Sequence, residues 1–144
     1  MIQIQDSKFM TLLAPIAVTS TVTGTAVDSV QLGVKFDYAT VVVQAGVIST
    51  TVAIGGLKLQ ESDDNSNWVD VAGTANVAAL TATTDNGKFY IYQLDMKKRR
   101  RYLRFSLAGT STGLLAGVTC ILSRAKETPY TAAQHGATGY EVVL

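Results

Sequence analysis

The sequence predicts an all-β fold: a β-sandwich or jelly roll of about eight antiparallel strands with extended terminal arms. Three observations point to this class. Apolar residues recur with a period of about two rather than ~3.6. The strand-favouring residues Thr and Val are abundant, and clusters of Gly, Asn, Asp and Ser separate the alternating segments. The absence of a convincing helical segment and of a repeat of ~20–50 residues argues against parallel α/β and repeat folds.

The first part of the chain predicts three strands. Residues 9–18 form either a first buried strand or an N-terminal arm. Residues 18–27 alternate Thr with Val and Ala, as expected of a strand with one wet face. Residues 38–47 predict a more deeply buried strand, one face of which carries Val41, Val43 and Ala45.

The middle of the chain alternates again over residues 52–61, where Leu57 and Leu59 point to the same side. The glycine pair at 55–56 predicts a kink in this strand. The sequence DDNSN at 63–67 then predicts a turn, because Asp, Asn and Ser side chains bond to their own backbone.

The last part of the chain begins with a polar connection at 73–87 that has no sustained period. Three strands follow it, at 89–94, 102–107 and 114–123. We expect the segment GTSTG at 109–113 to join the last two as a hairpin.

The length of 144 residues fits one compact domain. We assign residues 1–124 to the sandwich body with its N-terminal arm, and residues 125–144 to a C-terminal arm. Hydrophobic residues make up 47% and charged residues 16%, against a typical ~25% charged, which argues against disorder. The formal net charge is +1, so no global field draws the chain to nucleic acid or an anionic membrane. The sequence contains no run of ~18 apolar residues, so no membrane-spanning helix is predicted.

The residue types needed for catalysis are scarce. The single histidine, His135, lies in a glycine-flanked tail, and the single cysteine, Cys120, shares a strand face with Val118 and Leu122. One Cys and one His also exclude an internal disulfide framework and a Cys/His zinc cage within the chain. We therefore expect no enzyme activity, no catalytic residue and no cofactor.

An acidic cluster raises the question of a calcium site. Its members are Glu61, Asp63, Asp64 and Asp70. The segment DDNSNWVD lacks both the central Gly and the closing Glu of the EF-hand loop. We therefore expect a hairpin turn here and assign no metal site.

The strongest anomaly is an uninterrupted basic run followed closely by one more arginine. Five adjacent like charges repel one another, so the arrangement is unfavourable unless something anionic lies opposite. A protein partner, a solvated loop and nucleic-acid phosphate all remain open. The predicted partner-binding residues are Lys97, Lys98, Arg99, Arg100, Arg101 and Arg104.

Nucleic-acid binding has little further support in the sequence. The net charge is near zero, and neither a groove-entering helix nor a recognised motif is present. Tyr90, Tyr92 and Tyr102 could stack bases, but aromatic residues at strand spacing are more often part of a core. Single-stranded nucleic-acid binding therefore stays a second alternative.

Several segments resemble a family of small proteins encoded beside capsid genes in tailed bacteriophages. They are LKLQESDDNSNWVDVAGT at 57–74, RRYLRFSLAGTSTG at 100–113, TGTAVDS at 23–29 and VVVQAGV at 41–47. The resemblance covers roughly residues 21–129 and is carried by strand and turn motifs. The chain departs from the family pattern in its longer basic run and in its extended tail beyond Pro129.

This resemblance implies a structural virion protein of the jelly-roll type that decorates the outside of a phage head as a cement protein. The implied partner is the major capsid protein, with a homotrimer as the natural stoichiometry at threefold points of the shell. The implied location is the outer capsid surface, after synthesis in the host cytoplasm. The family supplies no catalytic residues.

The tail after residue 124 predicts an arm that packs on its own domain or on a neighbouring subunit, because a free apolar terminus is a liability. The predicted arm contacts are Pro129, Tyr130, Tyr140, Val142, Val143 and Leu144.

A carbohydrate-binding or receptor-binding module of a phage tail or fibre is the first alternative function, because jelly rolls also serve as lectins. Trp68 is its single candidate platform, and packing under the hairpin is the competing role for that ring.

Overall fold

The computed structural model describes residues 7–31, 33–49, 51–52, 55–76, 78–108 and 114–125. None of the helical turns in these ranges has the length and apolar character needed to span a membrane. The ranges contain ten strands and a 3₁₀ turn at Met96–Lys98. The strands are β1 (Lys8–Val18), β2 (Val22–Thr23), β3 (Val27–Asp28), β4 (Val30–Gln31), β5 (Val34–Ile48), β6 (Leu57–Ser62), β7 (Val69–Asp70), β8 (Phe89–Asp95), β9 (Tyr102–Leu107) and β10 (Leu114–Ala125).

Two antiparallel sheets form the fold. The first sheet has the order β1-β10-β5-β8, with β4 paired to the start of β5. The second has the order β2-β9-β6-β7, with β3 following β2 along the same strand, β9. β2 and β3 can be counted as one interrupted strand, and β4 as an extension of β5. Each sheet then has four strands, in the order of a jelly roll. The predicted all-β sandwich or jelly-roll class is confirmed.

The core lies between the sheets and consists of the side chains that alternate inward from both. The face of β6 that the alternation predicts to be apolar is buried, and Leu57, Leu59 and Phe105 are completely inaccessible. In the first sheet, the inward rows of β5 and β10 are buried as predicted. Their members are Val41, Val43, Ala45, Leu114, Ala116, Val118, Cys120 and Leu122.

The strand predicted over residues 18–27 is interrupted. The Gly24 N–H donates to the Phe105 carbonyl oxygen at 2.8 Å, whereas the Thr25 N–H donates to the Leu12 carbonyl oxygen at 2.7 Å. Two consecutive backbone N–H groups therefore bond to different sheets, and this interrupts the hydrogen-bond ladder with β9. A Cβ atom at residue 24 would collide with the Leu12 carbonyl oxygen, so only glycine fits this crossing.

The hairpin predicted between the last two strands is wrong. β9 pairs with β2, β3 and β6 in the second sheet, whereas β10 pairs with β1 and β5 in the first. Residues 109–113 lie outside the described residues, but the strands that flank them belong to different sheets. A short glycine-containing connection suits an arch between sheets as well as a hairpin, so composition alone could not distinguish them.

Candidate partner-binding surface

The basic segment, residues 97–101, crosses from one sheet to the other at an end of the sandwich. β8 ends at Asp95 in the first sheet and β9 begins at Tyr102 in the second. The Asp95 carboxylate caps the intervening 3₁₀ turn by accepting the Lys97 N–H at 3.0 Å. The five adjacent cations therefore lie on a short connection that is fixed at both ends.

Carboxylates of the chain itself lie opposite the three arginines of the basic segment. Arg101 binds Asp28 through two bonds, from Nε at 2.9 Å and from Nη2 at 2.7 Å. This hydrogen bonding raises the pKa of Arg101. The Nη1 atom of Arg100 lies 3.1 Å from an Asp63 oxygen. These contacts supply part of the negative charge that five adjacent positive charges require.

Glu61 serves two consecutive arginines. Its Oε1 atom lies 3.6 Å from Arg99 Nη1, and its Oε2 atom accepts the Arg100 backbone N–H at 3.2 Å. The Glu61 side chain is only 12% exposed, whereas the Arg99 side chain is 33% exposed. The carboxylate is therefore partly enclosed by the segment, and the guanidinium keeps donors directed to solvent.

The two lysines of the basic segment differ from its arginines. The Lys97 ammonium donates to the Tyr38 hydroxyl oxygen at 2.9 Å, and this bond raises the pKa of Lys97. Within the described chain, the Lys98 side chain makes no hydrogen bond or ion pair. With Arg99, it lines a shallow groove of about 360 Å³ beside the end of β8. Lys98 is thus the cation of the segment most available to an outside partner.

Arg104 belongs to a different surface. It lies on β9 between the inward-facing Leu103 and Phe105, so it points to the outer face of the second sheet. There its Nε atom donates to Gln60 Oε1 at 2.9 Å, and burial lowers its pKa. The structure therefore brings residues 97–101 together and leaves the predicted sixth member on the adjoining sheet face.

The guanidinium of Arg104 also covers the half-buried Trp68 ring, with its carbon 4.2 Å from the ring centre. A cation placed over an indole face is a favourable contact. One face of the ring is therefore occupied by an internal partner, which makes Trp68 less suited to serve as a platform for a sugar.

The acidic cluster is engaged in local structure. Asp70 accepts from Lys58 at 2.6 Å, and this bond lowers the pKa of Asp70. Asp64 accepts the backbone N–H groups of Asn67 and Ser66, and these bonds hold its pKa well below the usual range. The predicted turn at 63–67 is confirmed. In the ranges that the structure describes, no three metal-ligating side chains gather into a site.

The remaining candidates from the sequence fall into two groups. Cys120 is completely buried, and burial raises the pKa of its thiol to about 12, so it is an inert core residue as predicted. Outside the described residues lie His135 and the six arm candidates, namely Pro129, Tyr130, Tyr140, Val142, Val143 and Leu144.

Sequence reasoning missed a second surface, on the outer face of the first sheet. Tyr90 and Tyr92 of β8 pack against the core, but Phe89 and Ile91, which alternate with them, are 59% and 60% exposed. The signal was present in the sequence FYIYQL, which has apolar or aromatic residues at both odd and even positions. A strand of this type buries one face in the core and leaves an apolar face outside.

The fold is shared with a solved structure of viral origin. The SPBc2 prophage-derived protein YomS is similar with a TM-score of 0.54 at 16% identity, over 83% of this chain and 94% of that one. No protein-family model and no curated protein matches the sequence. At this identity the likeness establishes a common fold.

Proposed function

We propose that this chain is a structural virion protein, a decoration or cement protein that binds the outer surface of a phage head and stabilises the contacts between capsomers. The observation that carries the proposal is the jelly-roll fold shared with a prophage-derived protein over 83% of the chain. The resemblance of its strand and turn motifs to small proteins encoded beside phage capsid genes supports it. The proposal assigns no catalytic activity, metal or cofactor to the chain.

A cement protein acts through mass action. A ligand that binds only the assembled lattice lowers the free energy of that lattice relative to ruptured or dissociated states. A modest affinity is enough, because the contact repeats over many equivalent positions. A homotrimer suits the threefold points of an icosahedral shell, where closed symmetry uses one surface three times.

The basic segment supplies the contact to the major capsid protein in this proposal. Its charge is partly balanced by Asp28, Glu61 and Asp63, so it does not steer the protein from a distance. It acts at short range instead, because an arginine that binds one carboxylate keeps further donors for a second. The internal carboxylates hold the guanidinium groups in place for an acidic capsid surface.

The two alternative functions have weaker physical support. A sugar-binding site needs an accessible aromatic face, and the Trp68 ring lies under Arg104. A single-strand nucleic-acid binder needs several aromatic rings beside a basic groove. Two of the three candidate rings, Tyr90 and Tyr92, pack against the core, and the third, Tyr102, lies under Arg101.

Addition of the purified protein to undecorated heads tests the proposal. We expect saturable binding that weakens as salt rises, and the Lys98→Gln variant should bind a few-fold more weakly. Lys88→Gln is the matched control, because it removes the same charge at the opposite end of β8. Absence of wild-type binding would refute the function. Binding that ignores both salt and Lys98 would refute only the role of the basic segment.

A further inference from the structure

Three successive outward rows on the first sheet form an uncharged surface, here called the neutral face. The pairing registers place its side chains in rows that run across β1, β10, β5 and β8, and each row alternates with a buried one. The next outward row holds Ser123, Tyr38 and Asp95 and bounds this surface with charge. The three rows of the neutral face contain no Asp, Glu, Lys or Arg. Their members are Phe9, Ile121, Thr40 and Gln93; Thr11, Thr119, Val42 and Ile91; and Gly117, Gln44 and Phe89.

Large exposed apolar side chains concentrate on this sheet. Among the described residues, six such side chains are substantially exposed, and five of them lie on its strands. The sixth, Val69, is on the second sheet. The five are Ile16, Val47, Phe89, Ile91 and Leu115, with exposures between 40% and 65%.

The neutral face is large enough to form an interface. Four strands at ~4.8 Å spacing, each contributing about five residues at ~3.3 Å, give a projected area of about 300 Å². The accessible area exceeds the projected area because the side chains stand out from the sheet. The three rows therefore supply the centre of an interface, and the exposed Ile16, Val47 and Leu115 on the same sheet add to it, towards the ~800 Å² per partner that stable interfaces bury. Enrichment in aromatic residues and depletion of charge are typical of interface centres.

Charge complementarity restricts what can cover the neutral face. A partner surface that carries charges would have to bury them against uncharged side chains, and stranded charges are strongly unfavourable. The outer face of the second sheet carries Lys58, Asp70 and Arg104, and the basic segment is charged throughout. Among the described surfaces of this chain, the neutral face of another copy is therefore the one that fits it, and different parts of the face can meet around the threefold axis of a trimer.

We propose that the neutral face is the contact surface between copies of this chain in a homo-oligomer. The inference stands on the sheet registers and the exposures, and it does not depend on the proposed function. In the proposed decoration protein, it would leave the charged end of the sandwich free for the capsid.

The molar mass in solution, measured by light scattering after size-exclusion chromatography, tests the proposal without any phage head. We expect wild-type protein at micromolar concentration to have a multiple of the 15.3 kDa monomer mass. Ile91→Lys should raise the dissociation constant of the oligomer by about tenfold or more, because it buries a charge. Val69→Lys is the matched control on the other sheet. It should leave the mass unchanged, since Val69 pairs with Glu61 outside the neutral face.

A monomeric wild type would overturn the proposal, as would an oligomer that Ile91→Lys leaves intact. A monomeric wild type whose binding to heads is lost on Ile91→Lys would assign the face to the capsid instead. If the oligomer is intact but does not bind heads, the proposed function is refuted and this inference is not. Circular dichroism of both variants separates loss of assembly from loss of folding.

Discussion

Replacement of Glu61 by Gln should lower the stability of the protein and strengthen its attraction to an acidic partner. The Glu61 carboxylate neutralises Arg99 at 3.6 Å and accepts the Arg100 backbone N–H at 3.2 Å. Glutamine has nearly the same shape and keeps an oxygen acceptor, so the change removes the charge and little else. The variant therefore isolates the electrostatic role of this carboxylate.

The magnitude follows from these two contacts. A partly exposed ion pair of this length contributes about 0.5 kcal/mol. Conversion of a charge-assisted hydrogen bond into a neutral one removes about another 0.5–1 kcal/mol. We expect Glu61→Gln to lower the free energy of unfolding by about 1 kcal/mol, which corresponds to a fall in Tm of about 3 °C for a chain of this size.

Thermal unfolding and binding to undecorated heads, measured on the same preparations, provide the assay. Asp70→Asn is the matched control, because it removes an identical charge that pairs with Lys58 on the outer face of the second sheet. Both variants should unfold at lower temperature. Only Glu61→Gln should bind heads more tightly at low salt, because only it leaves arginines of the basic segment less neutralised.

Two results would refute this reasoning. Unchanged stability of Glu61→Gln would mean that the contacts of Glu61 do not hold the segment. Weaker binding to heads, or an equal change in both variants, would mean that the basic segment does not face the partner.

Three further predictions concern the core and its titrating groups. Phe105→Ala should lower the free energy of unfolding by about 3–5 kcal/mol in chemical denaturation, because Phe105 is completely buried between the sheets; a loss below 1 kcal/mol would contradict this core. Cys120 should not react with a thiol reagent at pH 8 in the folded protein and should react fully in denaturant, because burial raises its pKa to about 12. Burial, with a hydrogen bond to Asp85, raises the pKa of Tyr90 to about 12. The contribution of Tyr90 to stability should therefore be complete below its unfolded pKa of ~10 and disappear as the pH rises from there to about 12. Tyr90→Phe should remove that part of the alkaline destabilisation, and an identical alkaline profile in the two proteins would count against the assignment.

The inward faces of the strands could be predicted because a period of two fixes which side chains share a face. The row of Val41, Val43 and Ala45 is buried as the alternation requires, and so is the row of Leu103, Phe105 and Leu107. These rows are local properties of the sequence. They were sufficient to identify a sandwich and most of its core.

The pairing of strands and charges could not be predicted because it depends on contacts that are distant in the chain. Asp28 lies 73 residues from Arg101, and Glu61 lies 39 residues from Arg100. The basic run thus resembled a free cationic patch, although its arginines have internal partners. The sheet to which β10 belongs could not be predicted for the same reason. Its alternation fits either sheet, and its partners in the first sheet are distant in the chain.

The neutral face was missed for a different reason. Both parities of β8 carry large apolar or aromatic side chains, so periodicity does not indicate which face is buried. The choice is made by register: Tyr90 and Tyr92 pair with the inward Val43 and Val41, which places Ile91 outside.

The most direct test of the proposed function is the density of the intact particle at a resolution that separates capsomers, compared between virions with and without this protein. The account predicts added density of jelly-roll size on the outer surface of the head, where neighbouring capsomers meet. Added density inside the head along the packaged genome, or only at the tail, would contradict it.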